Sequence, residues 1–160
     1  MGIARRPKVD VAEMLIDPTP RPIILLEDPR NLQNMGASIR VAAAADAAGV
    51  LTTGTQDPWH ADALRGAAGL QFALPVSRID PVRFGDRPVI AVDPHGERFD
   101  PGSMSPRAVL AFGTERYGIS EDLLAQADHR VAVPMRPGIS SLNLATSVAA
   151  ILFAWRLNAV

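Results

Sequence analysis

Short runs of β-branched and leucine residues alternate with alanine-rich stretches along most of the chain. The runs at 23–27, 50–53, 72–75, 89–93, 108–112 and 130–134 are apolar at consecutive positions, not alternate ones, which predicts strands buried on both faces of a parallel sheet. Between them, 34–48, 61–68, 120–127 and 142–157 read as helices. This alternation predicts an α/β fold, a parallel sheet flanked by helices. The last helix carries Leu142, Ala145, Val148, Leu152 and Trp155 at three- and four-residue spacing, with Leu144, Ile151 and Phe153 on its other faces. It needs cover on two sides, as a core helix under the sheet or as one that also packs into a homodimer. Residues 1–21 are polar and carry Pro7, Pro18 and Pro20, which predicts an amino-terminal arm with a short helix over 9–16. Residues 22–160 form the domain.

At 160 residues and 48% hydrophobic, the chain suits one compact domain. Sixteen basic and 17 acidic side chains give a net charge of −1, so any nucleic-acid site must be local and not a global positive field. No cysteine is present, which excludes disulfides, thiolate nucleophiles and cysteine-based zinc sites. His60, His95 and His129 show no metal-ligand spacing. No signal-peptide core or charge-free apolar run of about 18 residues occurs, and the expected location is cytoplasmic.

Three segments break the local pattern at the ends of predicted strands, where open α/β sheets hold their ligands. In DPRNLQNMGASIR (28–40), Asn31 or Asn34 can cap a helix, Gly36 lets another backbone or a ligand approach, and Arg40 follows one turn later. An arginine so placed can reach a phosphate. In FGTERYGIS (112–120), Gly113 permits close backbone contact and Glu115 can accept hydrogen bonds from hydroxyls or anchor an arginine. In VPMRPGISSLN (133–143), Ser140 or Ser141 is a natural cap, whereas Asn143, inside the first turn of an apolar helix, suggests a directed hydrogen bond. Neither GxGxxG nor GxxxxGK[ST] occurs, which removes the main support for dinucleotide and P-loop sites.

Together these segments resemble the three motifs of the SpoU (TrmH) family of RNA ribose 2'-O-methyltransferases, within the SPOUT class. Asn34-Met35-Gly36 with Arg40 resembles the first, FGTERYG the second, and VPM followed by SSLNLATSVAAIL the third. Two departures occur: VAAAADAA intervenes before Gly49, and Thr114 stands where asparagine is common. The resemblance implies a carboxyl-terminal deep trefoil knot, S-adenosyl-L-methionine as cofactor, a homodimer, and RNA as substrate. Within that resemblance Arg40, Glu115, Ser141 and Asn143 match catalytic positions, while Val92, Gly113, Val133, Met135 and Leu142 match positions lining the cofactor pocket. No metal or membrane is implied. The short arm points to tRNA ahead of rRNA, with Arg5, Arg6, Arg65, Arg116 and Arg136 as candidate RNA contacts. The alternative is a catalytically silent cofactor- or RNA-binding partner protein of the same fold.

Overall fold

The computed structural model describes residues 4–80, 83–139 and 141–158. Its six strands, β1 (Ile23–Leu26), β2 (Gly49–Thr52), β3 (Val76–Arg78), β4 (Val89–Arg98), β5 (Val109–Phe112) and β6 (His129–Ala132), form one parallel sheet in the order β3-β2-β1-β5-β4-β6. Helices α1 (Val11–Ile16) and α4 (Glu121–Leu124) cover one face, and α2 (Leu32–Ala44), α3 (Ala61–Gly66) and α5 (Leu144–Asn158) the other. The consecutive apolar runs follow from this sandwich. Ile24 and Leu26 pack towards Met35, Ile39 and Val148, while Ile23 and Leu25 pack towards Met14 and Leu123.

Several boundaries differ from the pattern-based expectation. Residues 72–75 are not a strand: Leu70–Phe72 is a 3-10 turn, and β3 starts only at Val76. Pro75 has no N–H to give a ladder, and its carbonyl instead accepts from Val50 N at 2.9 Å. α2 ends at Ala44 because Asp46 turns to φ +60°, and Ala48 N then bonds Pro22 O to start β2 beside β1. α4 is a single turn, capped by Ser120.

α1 is fixed to the domain by a residue that the hydrophobic pattern does not mark. Arg87 is buried, and its guanidinium donates to the carbonyls of Met14, Leu15, Asp17, Arg21 and Arg107 at 2.8–3.2 Å. Burial, then the nearby Arg107, pushes its pKa below the ordinary arginine value. Every donor direction is nevertheless filled, and three of the acceptors lie at the carboxyl end of α1, where the helix dipole favours a cation.

The registers align Leu26 with Thr52 and Phe112, and Phe112 with Val92, so β1, β2 and β5 end at one level, where the pairing of β4 with β5 also stops. Successive strands leave β1 in one direction for β2 and β3, and lie beyond β5 in the other. Such a reversal opens a crevice between the loops that follow β1 and β5. These are loops 27–31 and 113–120, two of the three segments singled out in the sequence.

Candidate active site

The loop after β5 is closed on itself. Thr114 and Gly118 exchange backbone hydrogen bonds at 2.9 and 3.0 Å, and Thr114 Oγ1 accepts from Tyr117 N at 2.9 Å. A threonine therefore supplies the short polar acceptor that this turn needs. Gly113 serves the same closure: a Cβ there would lie 2.0 Å from the Gly118 carbonyl carbon, so its missing side chain makes room for the protein's own backbone. Gly113 also lines the cavity beside this loop.

Asn143 also departs from its expected place. α5 starts at Leu144, so Asn143 is outside the helix, and its Oδ1 accepts from Ala145 N (3.0 Å) and Thr146 N (3.4 Å) as the cap. Ser141 is therefore not the cap, and Ser140 lies outside the described residues. The other end of the Asn143 amide makes the directed bond: Nδ2 donates to Asn34 Oδ1 at 2.9 Å. Asn34 is free to receive it because Asn31 caps α2. Asn34 Nδ2 in turn donates to Glu115 Oε1 at 3.2 Å, and Glu115 Oε2 accepts from Arg30 N at 3.4 Å. The polarity runs one way, from the amides of α5 through two side-chain amides to a carboxylate. One side chain from each segment takes part, with the Arg30 amide of the first beside them.

Beside this relay lies a cavity of about 380 Å³, in the size range of small-molecule sites. Val92, Gly113, Val133, Met135 and Leu142 all line it, with Glu115 and Ser141. Arg40 and Asn143 do not. Arg40 is exposed on α2 and has no hydrogen bond or ion pair among the described residues. Six residues beyond Asn34, it stands about 9 Å further along the helix axis.

The sequence did not single out Asp93, which also lines the cavity. Asp93, at the break in the β4–β6 ladder, is only 8% exposed. Its Oδ1 accepts from His95 N (2.8 Å) and from Arg130 Nε (3.0 Å) and Nη2 (2.6 Å). Phe112 supplies an apolar wall. An acidic residue ending an apolar strand was the available signal for Asp93, but such residues usually mark a turn.

The sequence and the fold resemble those of known proteins. The profile of the SpoU rRNA Methylase family matches residues 21–153. The 23S rRNA (guanosine(2553)-2'-O)-methyltransferase RlmP of Bacillus subtilis is 30% identical over 149 residues, 86% of this chain and 59% of that protein. The SpoU methyltransferase AviRb of Streptomyces viridochromogenes superposes with a TM-score of 0.83 at 25% identity, covering 94% of this chain and 64% of AviRb. An AdoMet-bound rRNA methyltransferase of Sinorhizobium meliloti superposes at 0.78 and 29% identity, covering 88% and 57%. The chain spans between half and about three-fifths of the length of the curated relatives it matches. It belongs to the SpoU rRNA Methylase family.

Proposed function

We propose that this chain transfers a methyl group from S-adenosyl-L-methionine to a ribose 2'-hydroxyl in RNA. The observation that carries the reading is the Asn143–Asn34–Glu115 relay, which fixes three loops at the rim of one cavity. The cavity suits the cofactor: Val92, Phe112, Val133, Met135 and Leu142 offer apolar walls for a nucleoside and a thioether, and Asp93 leaves a carboxylate oxygen open. When bound, the cofactor supplies a methyl already activated by a sulfonium.

The protein then has to hold the ribose in line and help a weakly acidic hydroxyl to lose its proton. Orientation alone contributes up to roughly 7–11 kcal/mol to such reactions. Glu115, held by Asn34 and the Arg30 amide, orients the ribose, and Asn143 holds Asn34. Ser141, on the cavity wall, positions the methyl donor's loop. Arg40 is a poor base because a guanidinium keeps its proton above pH 12. Its role is to clamp the neighbouring RNA phosphate and so stabilise the forming alkoxide, the proton passing to a phosphate oxygen or to water. Since Arg40 stands outside the lining of its own chain's cavity, a homodimer with shared sites belongs to the same proposal; exposed Phe153 and Leu157 on α5, with Ile139 and Leu142, offer apolar surface for it. A trefoil knot formed by the carboxyl-terminal loops, and a cytoplasmic location, complete it; among the described residues no helix is long and apolar enough to cross a membrane.

The substrate class proposed first is tRNA, whereas RlmP acts on 23S rRNA, so the test covers both. It is a map of 2'-O-methyl positions in tRNA and rRNA from cells with and without this protein. Loss of methylation at a defined ribose supports the reading and names the substrate. Unchanged ribose methylation in both RNA classes overturns it.

A further inference from the structure

Asp93 lines the cavity as a carboxylate only 8% exposed, with donors on one of its two oxygens among the described residues. Its Oδ1 takes three donors, the His95 amide and two nitrogens of Arg130. Oδ2 accepts no hydrogen bond among the described residues, and it faces the loop after β5: a Cβ built on Gly118 would lie 3.9 Å from it. Gly118 lines the same cavity. A carboxylate oxygen without a protein donor is bonded to solvent or to a ligand that replaces it. Here the fold supplies donors to one oxygen and leaves the other open towards the cavity.

Resting on the function proposed above, we infer that Asp93 is a cofactor-binding residue, its open Oδ2 accepting a hydrogen bond from a donor of S-adenosyl-L-methionine. The candidate donors are the ammonium group of the methionine part and a ribose hydroxyl. Arg130 acts as the positioning residue: its forked contact with Oδ1 fixes the carboxyl plane and turns Oδ2 inwards. The break in the ladder between Val92 and Glu97 brings Asp93 to this place, where an uninterrupted strand would have continued its pairing with β6.

The test is calorimetric titration of the purified protein with S-adenosyl-L-methionine and with methylthioadenosine, which keeps the ribose and lacks the ammonium. Asp93→Asn retains an oxygen for His95 N and Arg130 but puts a donor or a neutral acceptor where Oδ2 was. It is expected to weaken S-adenosyl-L-methionine binding by tenfold or more, with a melting temperature close to that of the unsubstituted protein. A parallel loss for methylthioadenosine assigns the ribose hydroxyl, and no loss for it assigns the ammonium. Asp93→Glu keeps the charge while displacing the open oxygen by about one methylene; it is expected to lose at least fivefold and covers the case in which Asp93→Asn does not fold. Binding within twofold of the unsubstituted protein in a folded variant overturns the inference. Absence of S-adenosyl-L-methionine binding by the unsubstituted protein would instead overturn the proposed function, so the two failures are distinct.

Discussion

Asn143 and Asn34, 109 positions apart, are joined by a 2.9 Å hydrogen bond in which the helix-capping side chain of one donates to the amide oxygen of the other. Asn143 thus has two separable duties, one to α5 and one to the relay. Asn143→Asp keeps the capping oxygen and removes the donor, and it sets a carboxylate against Asn34 Oδ1. We expect the melting temperature to hold within a few degrees and methyl transfer to fall by a hundredfold or more. Asn143→Ala loses both duties and should also lose about 1 kcal/mol of stability. Thermal melts alongside a methyl-transfer assay separate the two; equal activity in Asn143→Asp and the unsubstituted protein would remove the relay from catalysis.

Arg40 carries a different expectation because it is exposed and makes no hydrogen bond or ion pair among the described residues. If its fork grips a phosphate, Arg40→Lys replaces two parallel bonds with one point charge. Turnover should fall at least tenfold, with S-adenosyl-L-methionine affinity and stability unchanged. Full retention of activity would leave no place for a two-pronged clamp.

Arg87 tests the attachment of α1. Arg87→Met removes a donor from five carbonyls at once; those of Leu15 and Asp17 keep a bond from Arg107, whereas those of Met14, Arg21 and Arg107 lose theirs. Buried acceptors left unpaired cost about 1–3 kcal/mol each before relaxation, so we expect a loss of at least about 3 kcal/mol in urea unfolding. Hydrogen exchange should show residues 11–16 losing protection first. Protection equal to that of the unsubstituted protein would mean that packing around Met14 suffices.

The alternating architecture was readable in the sequence because its strands are buried on both faces, and continuous apolar runs leave no other economical arrangement. What escaped was set by single backbone facts. Pro75 moved the start of a strand four residues on, since it cannot join a ladder, and Asn143 shifted the start of α5 because a cap and a first-turn residue look alike in a linear pattern. The site was partly legible: all five expected pocket-lining residues meet at one cavity. Asn34, weighed only as a cap, turned out to be the link between the other two loops, a role visible only once Asn31 is seen to do the capping. Arg87 gave no pattern, and Asp93 only that of an acidic residue ending an apolar strand, because a lone charged residue reads as surface until its burial is known.

Acid should weaken the fold in a stated direction. Asp17 is held below the usual carboxylate range by the Thr19 hydroxyl and amide, and Asp86 by the Arg107 guanidinium. A depressed pKa in the folded state adds stability that is fully present above the unfolded value, about 4, and is lost as the pH falls through the folded one. Urea midpoints should therefore decline below about pH 4, and more shallowly in the Asp17→Asn, Asp86→Asn double variant. Both groups lie at the surface, so added salt should reduce the difference. Parallel declines would show that these pairs do not contribute.

The loop after β5 offers a steric test. Gly113→Ala places a methyl 2.0 Å from the Gly118 carbonyl carbon, which forces Thr114 and Gly118 apart. S-adenosyl-L-methionine affinity should fall by tenfold or more while urea unfolding shows a loss of roughly 1–3 kcal/mol, the range for overpacked sites. Unaltered affinity would mean that the closed loop does not shape the cavity.

The most direct measurement incubates the purified protein with methyl-labelled S-adenosyl-L-methionine and unmodified tRNA or rRNA, digests the RNA to nucleosides, and identifies the labelled product by mass spectrometry. The account predicts a single 2'-O-methylnucleoside, absent when Asn143→Asp replaces the unsubstituted protein. Label on a base, or label that survives that substitution in full, would contradict it.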